Sequence, residues 1–214
     1  MTQVTPSKLI VARHGEFWVL RKPAGLLSQP SEVERSSLLT LVEDHLGLKF
    51  HLHSRLDRPV SGLIVASGRI KKVELPIIQK TYVAITTKAS DHEGTIHGYI
   101  SRDGQKRRAL YTDRQSPGFR PCELTYRVVE SLERYDIVAI TLNQGRFHQI
   151  RVQMASVGRV IKGDVKYGAR RGYRDRSIDL HSAQVQFADG TSFTTLAERE
   201  GELWRLADTY IGQL

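Results

Sequence analysis

Apolar and polar residues alternate with a period of two along much of this chain, and that period predicts strands. Leu9 to Ala12 and Phe17 to Leu20 read as two strands joined by Arg13-His14-Gly15-Glu16. Lys22-Pro23-Ala24-Gly25 then breaks the pattern. Leu63 to Ala66 is a short buried strand, and Thr81 to Thr86 and Thr95 to Ile100 are further strands. Leu124 to Val129 and Tyr135 to Leu142 form a pair. The second member is too apolar on both sides for either face to be fully wet. Ala183 to Phe187 and Thr191 to Leu196 flank Ala188-Asp189-Gly190, where the Asp-Gly pair signals a hairpin.

Helical spacing occurs three times. In Ser36 to Leu46 the side chains of Leu38, Leu41, Val42 and His45 share one face, Ser36 or Ser37 caps the start, and Gly47 suits the C-terminal cap. His148 to Val157 reads as a helix stopped by Gly158, and Leu203 to Ile211 as a closing helix. Strands outnumber helices and are often joined by short turns. The expected fold is therefore α+β: a mixed, largely antiparallel central sheet with a few flanking helices. With no repeat or linker, residues 1–214 are expected to form a single domain. No glycine-rich phosphate loop is present, which argues against a nicotinamide or ATP enzyme.

Composition narrows the class. Of 214 residues, 40% are hydrophobic and 26% charged, ordinary for a soluble domain. The apolar runs are too short to span a bilayer, and the first residues lack the order of a signal peptide. A single cysteine, Cys122, excludes an internal disulfide framework and fits a reducing compartment. A cytoplasmic protein with no membrane partner is expected. The net charge of +9 leans toward a polyanionic partner. The charge gathers at Lys71-Lys72, at Lys106-Arg107-Arg108, and at Arg170, Arg171, Arg174 and Arg176. Gly104, Gly168, Gly172, Tyr167 and Tyr173 accompany the last two clusters. Such segments suit loops that track a phosphate backbone and stack on bases; each reads equally well as solvated surface.

Three segments hold candidate chemistry. In His51 to Ser67, Asp57 stands between Arg55 and Arg58, Pro59 keeps Arg58 out of helical geometry, Ser61-Gly62 gives a turn, and a buried strand follows. The neighbouring guanidinium groups are expected to lower the Asp57 pKa. Taken alone, an aspartate in such a loop more often caps a turn. In Leu142 to Ala155, a helix beginning near Phe147 aligns His148, Arg151 and Ala155 on one face and Ile150, Met154 and Val157 on another. A structural salt bridge of Arg151 and a core role for His148 are equally good readings. In Lys80 to Thr86, strand alternation separates Lys80, Tyr82 and Ala84 from Thr81, Val83 and Ile85; a core or edge tyrosine is a common alternative.

The order of these segments resembles the RluA family of pseudouridine synthases. Its Lys-Pro-x-Gly segment is matched by Lys22-Pro23-Ala24-Gly25, and its His-Arg-Leu-Asp-x-x-x-Ser-Gly-Leu motif from Arg55 to Leu63. Its Lys-x-Tyr-x-Ala motif is matched at Lys80, Tyr82 and Ala84, and its Gly-Arg-x-His-Gln-Ile-Arg motif from Gly145 to Arg151. A Gly-Asp-x-x-Tyr-Gly is matched at Gly163, Asp164, Tyr167 and Gly168, and a late Leu-His-x-Ala at Leu180, His181 and Ala183. The resemblance covers roughly residues 9 to 190.

The resemblance implies an RNA pseudouridine synthase that flips a uridine out of structured RNA (ribosomal or transfer RNA) and rearranges its glycosidic bond. Asp57 would be the catalytic aspartate, Arg151 its partner, and Tyr82 the residue against the flipped uracil and a candidate for the base that removes a proton late in the reaction. Arg55 would enter the RNA stack. Arg58, His148, Lys106, Arg107, Arg108, Arg170 and Arg171 are the further candidates for RNA contact. No metal or organic cofactor, no DNA and a monomer are expected. Extrusion of the base costs a few kcal/mol, and an aromatic platform returns about 1–3 kcal/mol by stacking.

The chain departs from the family pattern in three places. Ser54 separates His53 from Arg55, Val60 precedes Ser61 where threonine is common, and residues 67–79 are too few for the family's amphipathic helix. The start leaves no room for a small N-terminal RNA-binding domain, so recognition is expected from Arg102 to Arg120 and Arg170 to Arg176. Two rival readings exist: an RNA-binding protein that keeps the fold without the reaction, and a metal-dependent hydrolase using His51 and His53.

Overall fold

The computed structural model describes residues 5–68, 77–143, 145–197 and 199–214. Among the described residues, eleven strands build one sheet. They are β1 (Ile10–His14), β2 (Phe17–Lys22), β3 (Phe50–Leu52), β4 (Ser61–Gly68), β5 (Ile77–Thr87), β6 (Glu93–Asp103), β7 (Arg108–Thr112), β8 (Arg120–Ser131), β9 (Tyr135–Leu142), β10 (Leu180–Phe187) and β11 (Ser192–Thr194). Flanking it, among the described residues, are three helices: α1 (Leu38–Leu46), α2 (Gln149–Ser156) and α3 (Glu202–Ile211). The strand order is β1-β2-β4-β10-β5-β9-β8-β6-β7, with β3 added to β4 and β11 to β10. Among the described pairs only β4 and β10 run parallel. The expected α+β class and mixed, largely antiparallel sheet are what the chain adopts.

Sequence signals account for the ends of several elements. Ser37 caps α1 by a reciprocal pair of bonds with Thr40, and Gly47 closes it in the left-handed conformation. Asp189 accepts from the backbone N–H of Thr191 in the turn between β10 and β11. Other strands extend past the expected limits. β3, β7 and two short 3-10 turns (Pro6–Leu9 and Val165–Tyr167) have no clear periodic signal. The expected helix shortening over 67–79 falls mostly outside the described residues; Ile77–Lys80 are already strand.

Alternation gives the sheet two buried faces. On β5, Tyr82 and Ala84 join one cluster with Ile64, Ala66, Val138, Ile150 and Met154, together with Leu38 and Val42 of α1. Val83 and Ile85 face the other way, against Trp204, Ala207 and Ile211 of α3. β9 is covered on both sides, as its apolar content requires; Asp136 at its start is buried and paired with the equally buried Arg159 at 2.6 Å.

Ser61-Gly62 is not a turn. Both residues open β4, and the turn lies just before, where the Val60 N–H donates to the Asp57 carbonyl at 3.0 Å. Gly62 has φ +119°, and a Cβ there would lie 2.3 Å from the Ser182 carbonyl oxygen of β10. The parallel contact therefore needs glycine at this position. Gly62→Ala is expected to cost about 3 kcal/mol or more, read from the urea midpoint. A midpoint equal to the parent's would show that β4 and β10 can separate freely.

Candidate active site

The loop before β4 is tied down by its backbone. The Leu56 N–H donates to Ser28 Oγ at 3.0 Å, and the Ser28 hydroxyl donates back to the Leu56 carbonyl at 2.7 Å. The Arg58 carbonyl accepts from the Gly25 N–H at 2.8 Å and from Lys22 Nζ at 3.3 Å. Lys22 also donates to the carbonyls of Pro23 and Leu26 at 2.9 Å each and is wholly buried. The Lys-Pro-x-Gly segment thus clasps the loop that carries Asp57. Burial pulls the Lys22 pKa down to about 7 against the opposing field of Asp57.

Asp57 meets α2. Arg151 donates from one terminal nitrogen to Asp57 Oδ2 at 3.0 Å. Its Nε and other terminal nitrogen hold Asp164 at 2.7 and 2.8 Å. Asp164 is buried at 1% exposure, so the guanidinium is fixed from behind by a two-point carboxylate pair and presents its last edge to Asp57. Burial works against the Arg151 charge, but Asp164 and Asp57 outweigh it and raise its pKa.

Two expectations about Asp57 need correction. Its pKa is raised, not lowered: burial of the carboxyl dominates, and Arg151, Lys22 and Lys166 only partly oppose it. The groups beside it in sequence are also not its partners. Arg55 is exposed. Arg58 turns to the Gly25 carbonyl at 2.8 Å and to Glu34 at 2.9 Å.

Tyr82 lies on the same side of the sheet and is buried. Burial pushes its pKa up to about 12, with Ser182 pulling the other way and the Asp57 charge adding to the rise. The phenol is therefore a neutral hydrogen-bonding group at physiological pH.

His148 departs from the helical reading. It precedes α2 in the left-handed conformation, φ 55°, and is buried beside Asp57 rather than spread on the open surface. Its Nε2 is 3.6 Å from Asp57 Oδ2 and its Nδ1 is 2.8 Å from the Tyr167 hydroxyl. Burial first, then Arg151 and Lys166, lower its pKa to about 3, so it is neutral and forms no ion pair with Asp57.

The basic clusters divide. Lys106 and Arg107 are exposed in the β6–β7 turn, and Arg108 lies over the Tyr167 ring at 5.8 Å. Arg170 and Arg171 are exposed. Lys71-Lys72 lie outside the described residues. The tyrosines of these clusters are not free platforms: Tyr167 binds His148 and the Ala109 N–H, and Tyr173 donates to buried Asp179 at 2.7 Å. His53, one of the pair weighed for metal, bonds Ser67 Oγ at 2.6 Å. No cluster of three or more potential metal ligands occurs among the described residues.

Residue-by-residue reading missed the roles of Lys22, Asp164 and Tyr167. Their only signal was membership of the Lys-Pro-x-Gly and Gly-Asp-x-x-Tyr-Gly motifs.

The chain is similar to several known proteins. An uncharacterized RNA pseudouridine synthase of Bacillus subtilis is 34% identical over 195 residues, covering 83% of this chain and 63% of its own length. A second from Haemophilus influenzae is 27% identical over 206 residues, covering 91% and 89%. The ribosomal large subunit pseudouridine synthase D of Pseudomonas aeruginosa is 28% identical, covering 75% and 53%. The chain thus spans less than two thirds of the Bacillus and Pseudomonas relatives. Two human structures share the fold. RNA pseudouridylate synthase domain containing 4 has a TM-score of 0.72 at 18% identity, covering 97% of this chain and 94% of that one. Domain containing 1 has 0.69 at 22%, covering 91% and 86%. Residues 16–156, a span that includes Lys22, Asp57, Tyr82 and Arg151, match the family described as RNA pseudouridylate synthase, and the chain belongs to that family, as an RluA-type catalytic domain.

Proposed function

We propose that this protein isomerises a specific uridine to pseudouridine in structured RNA, ribosomal or transfer, acting as a monomer in the cytoplasm without metal or organic cofactor. The observation that carries this reading is Asp57 held by Arg151, itself held by Asp164, with Tyr82 on the same face of the sheet. In the reaction the bond between ribose C1′ and uracil N1 breaks and a bond from C1′ to C5 forms. The C5 proton leaves and N1 is protonated, so substrate and product have the same composition. Asp57 supplies the carboxylate that attacks or deprotonates the nucleotide, and Arg151 keeps it charged and aimed. Tyr82 lines the pocket for the flipped base. Arg55, which is exposed, fills the gap that the base leaves in the stack.

The discriminating experiment maps pseudouridine at single-nucleotide resolution in ribosomal and transfer RNA from cells with and without the protein. Loss of one or a few sites, restored by the parent but not by Asp57→Asn, is the expected result. An unchanged map would favour an RNA-binding role without chemistry.

Lys106, Arg107, Arg108, Arg170 and Arg171 are proposed to follow the phosphate backbone. Arg108 supports this: its Nε is buried without a hydrogen-bond partner among the described residues, which an incoming phosphate would satisfy. Replacing Lys106, Arg107 and Arg108 by Gln is expected to weaken RNA binding and to reduce the slope of log affinity against log salt by about 2. An unchanged slope would remove this turn from the interface.

A further inference from the structure

Arg151, Lys22 and Lys166 account for the positive field at Asp57, but they do not account for His148. That residue has a left-handed φ of 55°, uncommon for any residue but glycine, and its side chain makes no capping bond to α2. The strained backbone instead holds a buried imidazole between neighbours. The Phe147 ring stacks on it at 3.9 Å and 18°, and the Tyr167 ring meets it edge-on at 5.6 Å. Arg102 lies over the Phe147 ring at 4.8 Å and extends the stack.

The hydrogen bonds select one tautomer. The Tyr167 hydroxyl oxygen accepts from the Ala109 N–H at 2.7 Å and has a single proton to give. The Ala109 carbonyl, at 3.5 Å, is a poor acceptor for it; His148 Nδ1, at 2.8 Å, is a good one. Nδ1 thus accepts, and a neutral imidazole must then carry its proton on Nε2. Electrostatics agree. Nε2 faces Asp57 Oδ2, and a lone pair directed at a carboxylate would be repelled where an N–H is attracted.

Arg151 and His148 converge on the same atom. Arg151 bonds Oδ2 at 3.0 Å and His148 Nε2 stands 3.6 Å from it, while Asp57 Oδ1 has no hydrogen-bond partner among the described residues. We propose that His148, locked by Tyr167 as the Nε2–H tautomer, is a positioning residue that clamps Oδ2 together with Arg151 and leaves Oδ1 as the reacting oxygen. This rests on the reading of Asp57 as the reacting carboxylate. At 3.6 Å the second arm of the clamp is open. A shift of roughly half an ångström as substrate enters would close it, as site hydrogen bonds tighten in complexes. A neutral donor suits the place, because it orients the carboxylate without adding a second cation that would weaken it as a nucleophile.

The groups facing His148 are Asp57 from the loop, Arg151 from α2, Asp164, Lys166 and Tyr167 from the segment after it, and Arg102 from β6. Burial first, then Arg151, Lys166 and Arg102, hold it uncharged down to about 3, below its ordinary 6.5, with Asp164 opposing. The unfolded chain therefore binds the extra proton between those limits, and His148 makes stability fall as pH drops through that window.

The direct test is a two-bond ¹H–¹⁵N spectrum of the full chain with ring-labelled histidine, the His148 signals being identified by their loss in His148→Gln. A neutral Nε2–H ring that stays unprotonated from pH 8 to 5 is expected. An Nδ1–H ring, or titration near 6.5, overturns the proposal. Kinetics give the second arm. His148→Leu should lower kcat by about 10² with KM within twofold, and His148→Gln, whose amide N–H can reach Oδ2, should recover part of it. Tyr167→Phe should lower kcat and mix the tautomers in the spectrum. A rise in KM at unchanged kcat would make His148 an RNA contact and overturn the clamp. Inactivity of the parent on every RNA would count against the role of Asp57, whereas the spectrum judges the clamp independently.

Discussion

Asp57→Asn is expected to lower isomerisation by at least roughly 10⁴-fold, the scale of losing a reacting group, while the protein stays folded and binds RNA with near-parent affinity. The side chain is nearly isosteric, and its carbonyl oxygen can still accept from Arg151. The loop is held by Ser28, Gly25 and Lys22 through backbone atoms, none of which the substitution touches. Arg151 also keeps both bonds to Asp164.

The stability change has a predictable sign. Burial raises the Asp57 pKa above its ordinary 3.8. A carboxyl raised in the folded state contributes stability at low pH that is lost as pH rises through the folded value. At neutral pH the ionised Asp57 is therefore a cost, and Asp57→Asn should be as stable as the parent or more so. A reactive group held against the fold's own preference is a common trade at active sites. Turnover within tenfold of the parent would remove Asp57 from the chemistry. A large drop in the denaturation midpoint would mean that its carboxylate supports the loop after all.

Asp164→Asn carries the second large effect, here on stability and activity together. Asp164 and Arg151 are both buried and share two bonds. Removing the Asp164 charge takes the two-point partner from a buried cation and leaves it the single bond to Asp57, which costs about 3 kcal/mol. The guanidinium also loses its fixed backing, and Asp57 loses its aim, so turnover should collapse although Asp57 is intact. The double variant Arg151→Met with Asp164→Asn separates the two losses. With no buried cation short of its main partner, it should regain much of the stability and none of the activity. A single variant within about 0.5 kcal/mol of the parent, the range of an ordinary surface change, would show that Asp57 alone satisfies the buried Arg151.

Much of this architecture is written locally in the chain. The period-two runs of β4, β5, β9 and β10 place Tyr82 and Ala84 on one face and Val83 and Ile85 on the other. Ser37 and Gly47 bound α1, and the Asp189-Gly190 turn joins β10 to β11, because caps and turns act over a few residues. The Asp57, Tyr82 and Arg151 motifs were legible as an ordered set. β3 and β7 were not, since three to five residues with mixed burial show no period. The left-handed His148 was hidden for a related reason: the residues around it follow helical spacing, and only packing against Phe147 and Tyr167 turns it out of the helix.

What the sequence determined by itself was the alternation, the caps, the charge and the motif order that mark the family. What only the tertiary structure decided was which charges meet. Arg58 directly follows Asp57 and is spent on Glu34, while Arg151, 94 positions away, holds Asp57 from a helix that Asp164 anchors. The sign of the Asp57 shift followed the same rule. Burial is a property of the assembled core, and its desolvation outweighs Arg151, Lys22 and Lys166, the cations that the fold brings to Asp57. Local chemistry sets the elements because backbone and capping forces reach a few residues; the site depends on long-range approach in a poorly hydrated interior, where position in the chain no longer measures distance.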